Sequence, residues 1–226
     1  MPERTRAVLL DALGTLLYFE RPAPHLSAAL RDRLGVEVTP EAAEAAMKAE
    51  IAYYRAHLHE GRDAESLADL RRRSAEAMRP ALGVDGDLTE VLLAALRFRA
   101  YPDAAPALRM LRSLGVRLVV VSNWDHSLHE RLAETGLAPL VDGAVASAEI
   151  GHAKPERAIF EHALELAGAF PEAALHAGDS PREDVEGALA AGLRAVLVAR
   201  DGPAPASQVP VIGSLVELPR TLEGAR

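Results

Sequence analysis

Asp11 closes the apolar run Val8-Leu9-Leu10, and Gly14 and Thr15 follow it closely. Ser122 and Asn123 close a second run, Val119-Val120-Val121. Lys154 stands within Gly151-His152-Ala153-Lys154-Pro155, and Asp179 stands within Gly178-Asp179-Ser180, with Asp184 shortly after. A carboxylate held in line with an electrophile can form an ester or an acyl-phosphate. Ser122 and Asn123 offer a hydroxyl and an amide to an oxyanion, and the Lys154 ammonium can balance its charge. Trp124 follows Asn123 and can either shape a substrate site or fill core. Thr15 can hold its loop or bond the substrate. Two carboxylates sharing one crevice, Asp11 and Asp179, cannot both ionise cheaply. A divalent cation relieves that conflict, and Mg2+ takes one or two carboxylates, several waters and phosphate oxygens. Asp184 can touch such a cation through water or orient Lys154. The inventory suits transfer of a phosphoryl or similar group through a covalent intermediate on Asp11.

Each patch alone also has a plainer reading. Asp11 can cap a turn, while Ser122, Asn123 and Asp125 are good helix N-caps. Pro155 and Pro181 both fit the first turn of a helix, which would leave Lys154 and Asp179 as flanking residues. What gathers the patches is the strand ends. An open parallel sheet binds ligands beyond the carboxyl ends of its strands.

The elements needed for such a sheet are legible. Residues 6–10 read as a buried strand. From Tyr101 helix and strand alternate: a helix at 103–114, a strand at 116–121, a helix near 126–135 and a strand near 143–147. A helix near 155–168, a strand at 174–177, a helix near 182–191 and a strand at 195–199 follow. Apolar strands alternating with helices predict an α/β fold with a Rossmann-like parallel sheet covered on both faces. Between about 24 and 98 the pattern is helical without strand signal. Thr39-Pro40-Glu41 reads as a helix start, and breaks fall at Pro80 and around Gly83 and Gly86. The expected division is an α/β core of residues 1–16 and 99–226 with an all-helical insert of residues 17–98. An insert beside Asp11 can act as a lid or as a packing or dimerisation element. Residues 202–210, rich in Pro and Ala, are expected to wrap the surface before a last short strand and helical turn.

Composition bounds the function. The chain has 226 residues, 49% hydrophobic and 26% charged, ordinary for a globular protein. A net charge of −8 disfavours non-specific nucleic-acid binding and an anionic membrane surface. No apolar stretch approaches a membrane span, and the apolar run after residue 6 is too short for a signal segment. With 0 cysteines there is neither a disulfide nor a thiol nucleophile. A cytoplasmic monomer or homodimer acting on a small molecule is the expectation. Lys48 and Lys154 are the only lysines, and every other basic residue is an arginine. An ammonium reaches where a planar guanidinium does not, so a chain that otherwise writes arginine points to a need for lysine at 154.

Taken together the motifs resemble those of the haloacid dehalogenase (HAD) superfamily of hydrolases, with a helical cap inserted after the first strand. Asp11-Ala12-Leu13-Gly14-Thr15 resembles the first motif of that family, Ser122-Asn123 the second, Lys154-Pro155 the third, and Gly178-Asp179-Ser180 with Asp184 the fourth. The resemblance implies that Asp11 is the nucleophile and that Mg2+ is held by Asp11, Asp179 and the backbone carbonyl of Leu13. It implies a phosphatase of a small phosphorylated metabolite. One departure stands out: phosphatases of the family carry a second Asp, as general acid and base, at the position of Leu13. The family's dehalogenases lack that Asp too, since a halide leaves without a proton, but they need no metal. A metal-independent 2-haloacid dehalogenase is therefore one alternative, and a weakly active or inactive relative serving as a binding protein is another.

The remaining polar features carry less. His126 and His129 lack a third ligand and read as solvent-facing, and His57 and His59 do not share a helical face. His176 reads as a packed, hydrogen-bonded core residue, while His152 can border the site. Arg71-Arg72-Arg73 reads as a solvated helix face.

Overall fold

The computed structural model describes residues 5–200 and 206–222. The short apolar runs form strands β1 (Ala7–Leu10), β4 (Arg117–Ser122), β5 (Gly143–Ala146), β6 (Ala174–Gly178), β7 (Arg194–Val198) and β8 (Val211–Ile212). They build one parallel sheet in the order β5-β4-β1-β6-β7-β8. β1 and β6 are buried along their whole length because helices cover both faces, which is why they read as continuous apolar runs. From β1 the chain passes to β4 and β5 on one side, then returns to β6 on the other side of β1. Successive connections thus diverge from the β1–β6 pair, where such sheets open a crevice. The register sets Leu10 opposite both Val120 and Ala177, so Asp11 and Asp179 emerge side by side at that point.

The chain divides into two compact units, Met1–Tyr18 with Ala100–Arg226, and Phe19–Arg99. The second unit contains helices α1 (Pro22–Leu34), α2 (Pro40–His57), α3 (Ala64–Glu76), α4 (Arg79–Leu82) and α5 (Thr89–Ala95). Their core gathers Leu26, Leu30, Ala43, Met47, Met78, Leu88 and Leu92. Thr39 caps α2 by accepting from the Ala42 N–H, with Pro40 in the first turn. Asp63 and Ser66 cap each other's backbone at the start of α3.

The sheet unit contains α6 (Ala104–Ser113), α7 (Leu128–Glu134), α8 (Ser147–Ile150), α9 (Arg157–Ala167) and α10 (Gly187–Ala190). α9 lays Ile159, Phe160, Ala163 and Leu164 against Leu9, Val119 and Val121 of the sheet. Burying a side chain such as Phe160 contributes about 1.5–3 kcal/mol.

Four local expectations need correction. The helical segment is flanked by strands β2 (Leu17–Phe19) and β3 (Phe98–Ala100), which pair with each other. Three residues are too few to show an alternating signature. The break expected at Pro80 falls just before it, between Glu76 and Arg79, and Pro80 itself lies in the first turn of the new helix α4. Pro155 precedes α9 and does not open it: the Lys154–Pro155 peptide is cis and Glu156 is the cap. The helix expected near 182–191 is a wide π-helical turn over Pro181–Glu186 that runs into α10. Of the expected wrapping tail, residues 202–205 lie outside the described residues, while β8 and a helical turn at Leu215–Thr221 follow it.

Candidate active site

The site begins with Asp11, the first residue past β1, whose N–H donates to the Ala177 carbonyl at 2.9 Å. Two glycines let carboxylates come against the backbone. Gly14 has φ of 91°, and a Cβ there would lie 2.1 Å from an Asp179 carboxylate oxygen. A Cβ on Gly178 would lie 2.1 Å from the Asp184 carboxyl carbon. Neither position accepts another residue without displacing an acidic side chain.

Lys154 reaches into this cluster from the loop before α9 and is only 4% exposed. Its Nζ donates to Asp11 Oδ1 and to Asp184 Oδ1, both at 2.6 Å. The Ser122 hydroxyl, at the end of β4, donates to the same Asp11 oxygen at 3.2 Å. Asp11 Oδ2 is buried and has no hydrogen-bond partner among the described residues. One oxygen of Asp11 is thus fixed by two donors and the other is left open. Asp184 is held from three sides: Oδ1 also accepts from His176 Nε2 at 2.8 Å, and Oδ2 accepts from the Ser180 N–H at 2.9 Å.

Charge follows from these contacts. Burial pushes the Asp11 carboxyl up to about 6; Lys154 counters that rise, and Asp184 and Asp179 add to it. Burial likewise raises Asp179, with Asp184 adding to it. Burial also disfavours charge on Asp184, yet Lys154 and His176 outweigh it and hold this carboxyl well below its usual range. Lys154 is held protonated by Asp11 and Asp184 despite its burial.

Asp11, Asp179 and Asp184 each offer an oxygen within 4.8 Å of the others, a donor set that suits a hard divalent cation. The open Oδ2 of Asp11 and the exposed carboxylate of Asp179 are the oxygens available to it. Both oxygens of Asp184 already accept hydrogen bonds, so its geometry is that of a group holding Lys154.

Two expected substrate contacts are placed differently. Asn123 grips the backbone of Lys154: its Oδ1 accepts from the Lys154 N–H at 2.7 Å, and its Nδ2 donates to the Lys154 carbonyl at 3.0 Å and to Glu183 at 3.2 Å. Its amide therefore positions Lys154, with its donors already engaged. Trp124 is 5% exposed and donates its indole N–H to the Ser127 hydroxyl at 3.1 Å, so it fills core. Thr15 is fully buried, with no partner for its hydroxyl among the described residues. Leu13 is 42% exposed. His126 and His129 both pair with Glu149, at 2.7 and 3.1 Å, and His152 pairs with Glu156 at 2.9 Å. Arg73 is engaged by Asp69 and Glu60 within the helical unit.

Arg200 is a residue the sequence reading missed. Its guanidinium donates to the carbonyls of Gly14 at 3.3 Å and Thr15 at 2.5 Å, and to Asp103 at 3.1 Å, and stacks 3.7 Å over Tyr101. It ties down the turn that follows Asp11. It stands just past β7, the same place after an apolar run that marked the other site residues.

A parallel sheet with a nucleophile-like Asp at the diverging strand pair, a buried Lys–Asp network and an acidic cluster defines a class of hydrolase. The family model for haloacid dehalogenase-like hydrolases matches residues 5–192, and the chain belongs to that family. A phosphoserine phosphatase of Thermus thermophilus is 39% identical over 105 residues, 46% of this chain and 42% of that one. The chain matches only about two-fifths of the length of the curated relatives first in rank. A solved HAD phosphatase from Thermococcus onnurineus is 28% identical, with a TM-score of 0.66 over 98% of this chain and 100% of that one. A 2-haloacid dehalogenase from Pseudomonas syringae pv. tomato is 27% identical, with a TM-score of 0.65 over 96% of this chain and 98% of that one.

Proposed function

We propose that the chain is a Mg2+-dependent phosphatase of a small phosphorylated metabolite, acting through an aspartyl-phosphate on Asp11. The observation that carries this reading is the asymmetry of Asp11, which clusters with Asp179 and has Oδ1 held by Lys154 and Ser122 while Oδ2 is open. Asp11 attacks phosphorus through the carboxylate oxygen that does not face the cation, an acyl-phosphate bond forms, and the bond from phosphorus to the leaving oxygen breaks. Lys154 keeps Asp11 ionised and offsets the charge gathering around it. The leaving oxygen takes its proton from solvent, because Leu13 has none to give. Water then attacks the phosphoryl group, loses a proton and frees inorganic phosphate and the Asp11 carboxylate. Mg2+ held by Asp11, Asp179 and the Leu13 carbonyl would supply charge neutralisation of the phosphoryl oxygens and screen the paired carboxylates.

A panel of phosphate esters assayed with and without Mg2+ tests the reading. Phosphate release that requires both Mg2+ and Asp11 supports it. Leu13 favours one second reading, a dehalogenase, because halide departure needs no acid. Halide release from 2-haloacids without metal, with no phosphatase activity, would replace the first reading by the second.

A further inference from the structure

His176 occupies the middle of β6, opposite Leu9 of β1 and Ala195 of β7, in a strand otherwise of Ala, Leu and Gly. It is fully buried, and the edge-on ring of Phe160 lies 5.2 Å away. A polar ring in such surroundings is unfavourable unless its hydrogen bonds are made. Its Nδ1 has no partner among the described residues, and its one hydrogen bond runs from Nε2 to Asp184 Oδ1. A carboxylate oxygen only accepts, so the proton of this bond is on His176 Nε2.

The bond lies at the head of a buried chain. His176 Nε2 donates to Asp184 Oδ1, Lys154 Nζ donates to that same oxygen and to Asp11 Oδ1, and Asp11 Oδ2 stays open. The Ser180 N–H fixes Asp184 Oδ2, so His176 is the second anchor that sets the rotation of this carboxylate. Without it Asp184 is held by Ser180 and Lys154 alone, and the Oδ1 that receives Lys154 loses its other donor.

We propose that His176 is a positioning residue, which through Asp184 fixes where the Lys154 ammonium sits against the nucleophile Asp11. The role deepens the proposed function and rests on it for the importance of Lys154; the placement of the ammonium does not.

The two lysines make the placement measurable without any substrate. In protein labelled with 15N-lysine only the side chains of Lys48 and Lys154 give ammonium signals, and Lys48→Arg identifies that of Lys154. Gln carries its N–H near the place of the imidazole Nε2, whereas Asn carries its own near Nδ1 and Leu carries none. The buried Lys154 signal should exchange slowly in the wild type and in His176→Gln. In His176→Asn and His176→Leu its exchange should quicken by about tenfold or more, as expected for losing one hydrogen bond to a charged group. Phosphatase kcat should fall in those two variants more than KM changes, with Gln restoring it. If the Leu variant does not fold, the Asn variant, checked by circular dichroism and Tm, carries the comparison. An unchanged Lys154 signal in folded His176→Asn overturns the proposal, as does equal loss in the Gln and Asn variants, which would mark a packing role. Absence of phosphatase activity in the wild type would remove the proposed function while leaving the ammonium result to be read by itself.

Discussion

Cation binding at Asp11 and Asp179 must compete with protons, and the structure sets the size of that competition. Burial holds the Asp11 carboxyl near 6, so the apo site is half protonated there at that pH. A metal ligand must shed its proton, so the observed affinity falls as the carboxylate protonates. With one such group the factor is 1 + 10^(pKa − pH), about elevenfold at pH 5 and about 1.1-fold at pH 7. Mg2+ should therefore bind about tenfold more weakly at pH 5 than at pH 7, and the upward shift of Asp179 adds to that difference. The sign follows from the direction of the shift: a raised carboxyl pKa puts the competing proton on the folded site, and raising pH removes it. Calorimetry at pH 6 in two buffers of different ionisation enthalpy should detect release of about half a proton per Mg2+ from Asp11. Asp179→Ala should weaken binding strongly at every pH. Equal affinity at pH 5 and 7 with no proton release, or equal affinity in Asp179→Ala, would refute the assignment of these carboxylates to the cation.

Leu13→Asp should raise turnover of alkyl phosphates more than of aryl phosphates, since a positioned acid contributes ~10²–10⁴-fold where the leaving group is poor. Steady-state rates on the two ester classes check this, and an equal gain on both would show that leaving-group protonation is not what the enzyme lacks. Lys154→Arg should lose most activity while Lys48→Arg is silent, because a guanidinium fork does not fit between two carboxylates each 2.6 Å from Nζ; similar rates in both variants would exclude Lys154 from the site. Lys154→Met should also destabilise the fold by about 3–5 kcal/mol, because it strands buried carboxylates. Glu50, buried on α2, is raised by burial from 4.5 to about 7, so its contribution to stability is intact below pH 4.5 and is lost as pH rises through 7, by about 3 kcal/mol in all. Urea unfolding from pH 5 to pH 8 should show a smaller loss of stability in Glu50→Gln than in the wild type; an equal loss in both would refute the assignment.

What could be read from the chain was whatever had a short-range signature. Asp11, Ser122 and Asp179 each follow an apolar strand, and that arrangement alone brought them to one edge of one sheet. Arg200 has the same signature after β7, and only the lack of a motif around it hid its role. Asn123 was legible as a polar group at a strand end, but not as a clamp, because its partners are the two backbone groups of Lys154, 31 residues away. Trp124 offered two readings that sequence could not separate, and burial against Ser127 decides between them. β2 and β3 escaped because three residues on a half-buried ribbon leave no periodicity.

The charges in the site bear on the choice between phosphatase and dehalogenase more directly than Leu13 does. Asp11, Asp179 and Asp184 face a single ammonium, and Glu183 lies nearby against Asn123. With the carboxylates ionised, those three and Lys154 sum to about −2, unfavourable to any anion approaching Asp11. A 2-haloacid is an anion and would meet that repulsion without help, since a metal-independent mechanism brings nothing to cancel it. A phosphate ester meets more repulsion still, but arrives where a divalent cation can bridge it to the same carboxylates. The exposed Asp179 is the group that decides, because Lys154 already serves Asp11 and Asp184 and leaves it unbalanced. Replacing Asp179 by a neutral residue should therefore harm phosphate chemistry and relieve the obstacle to haloacid chemistry, which separates the two readings by one substitution and two assays.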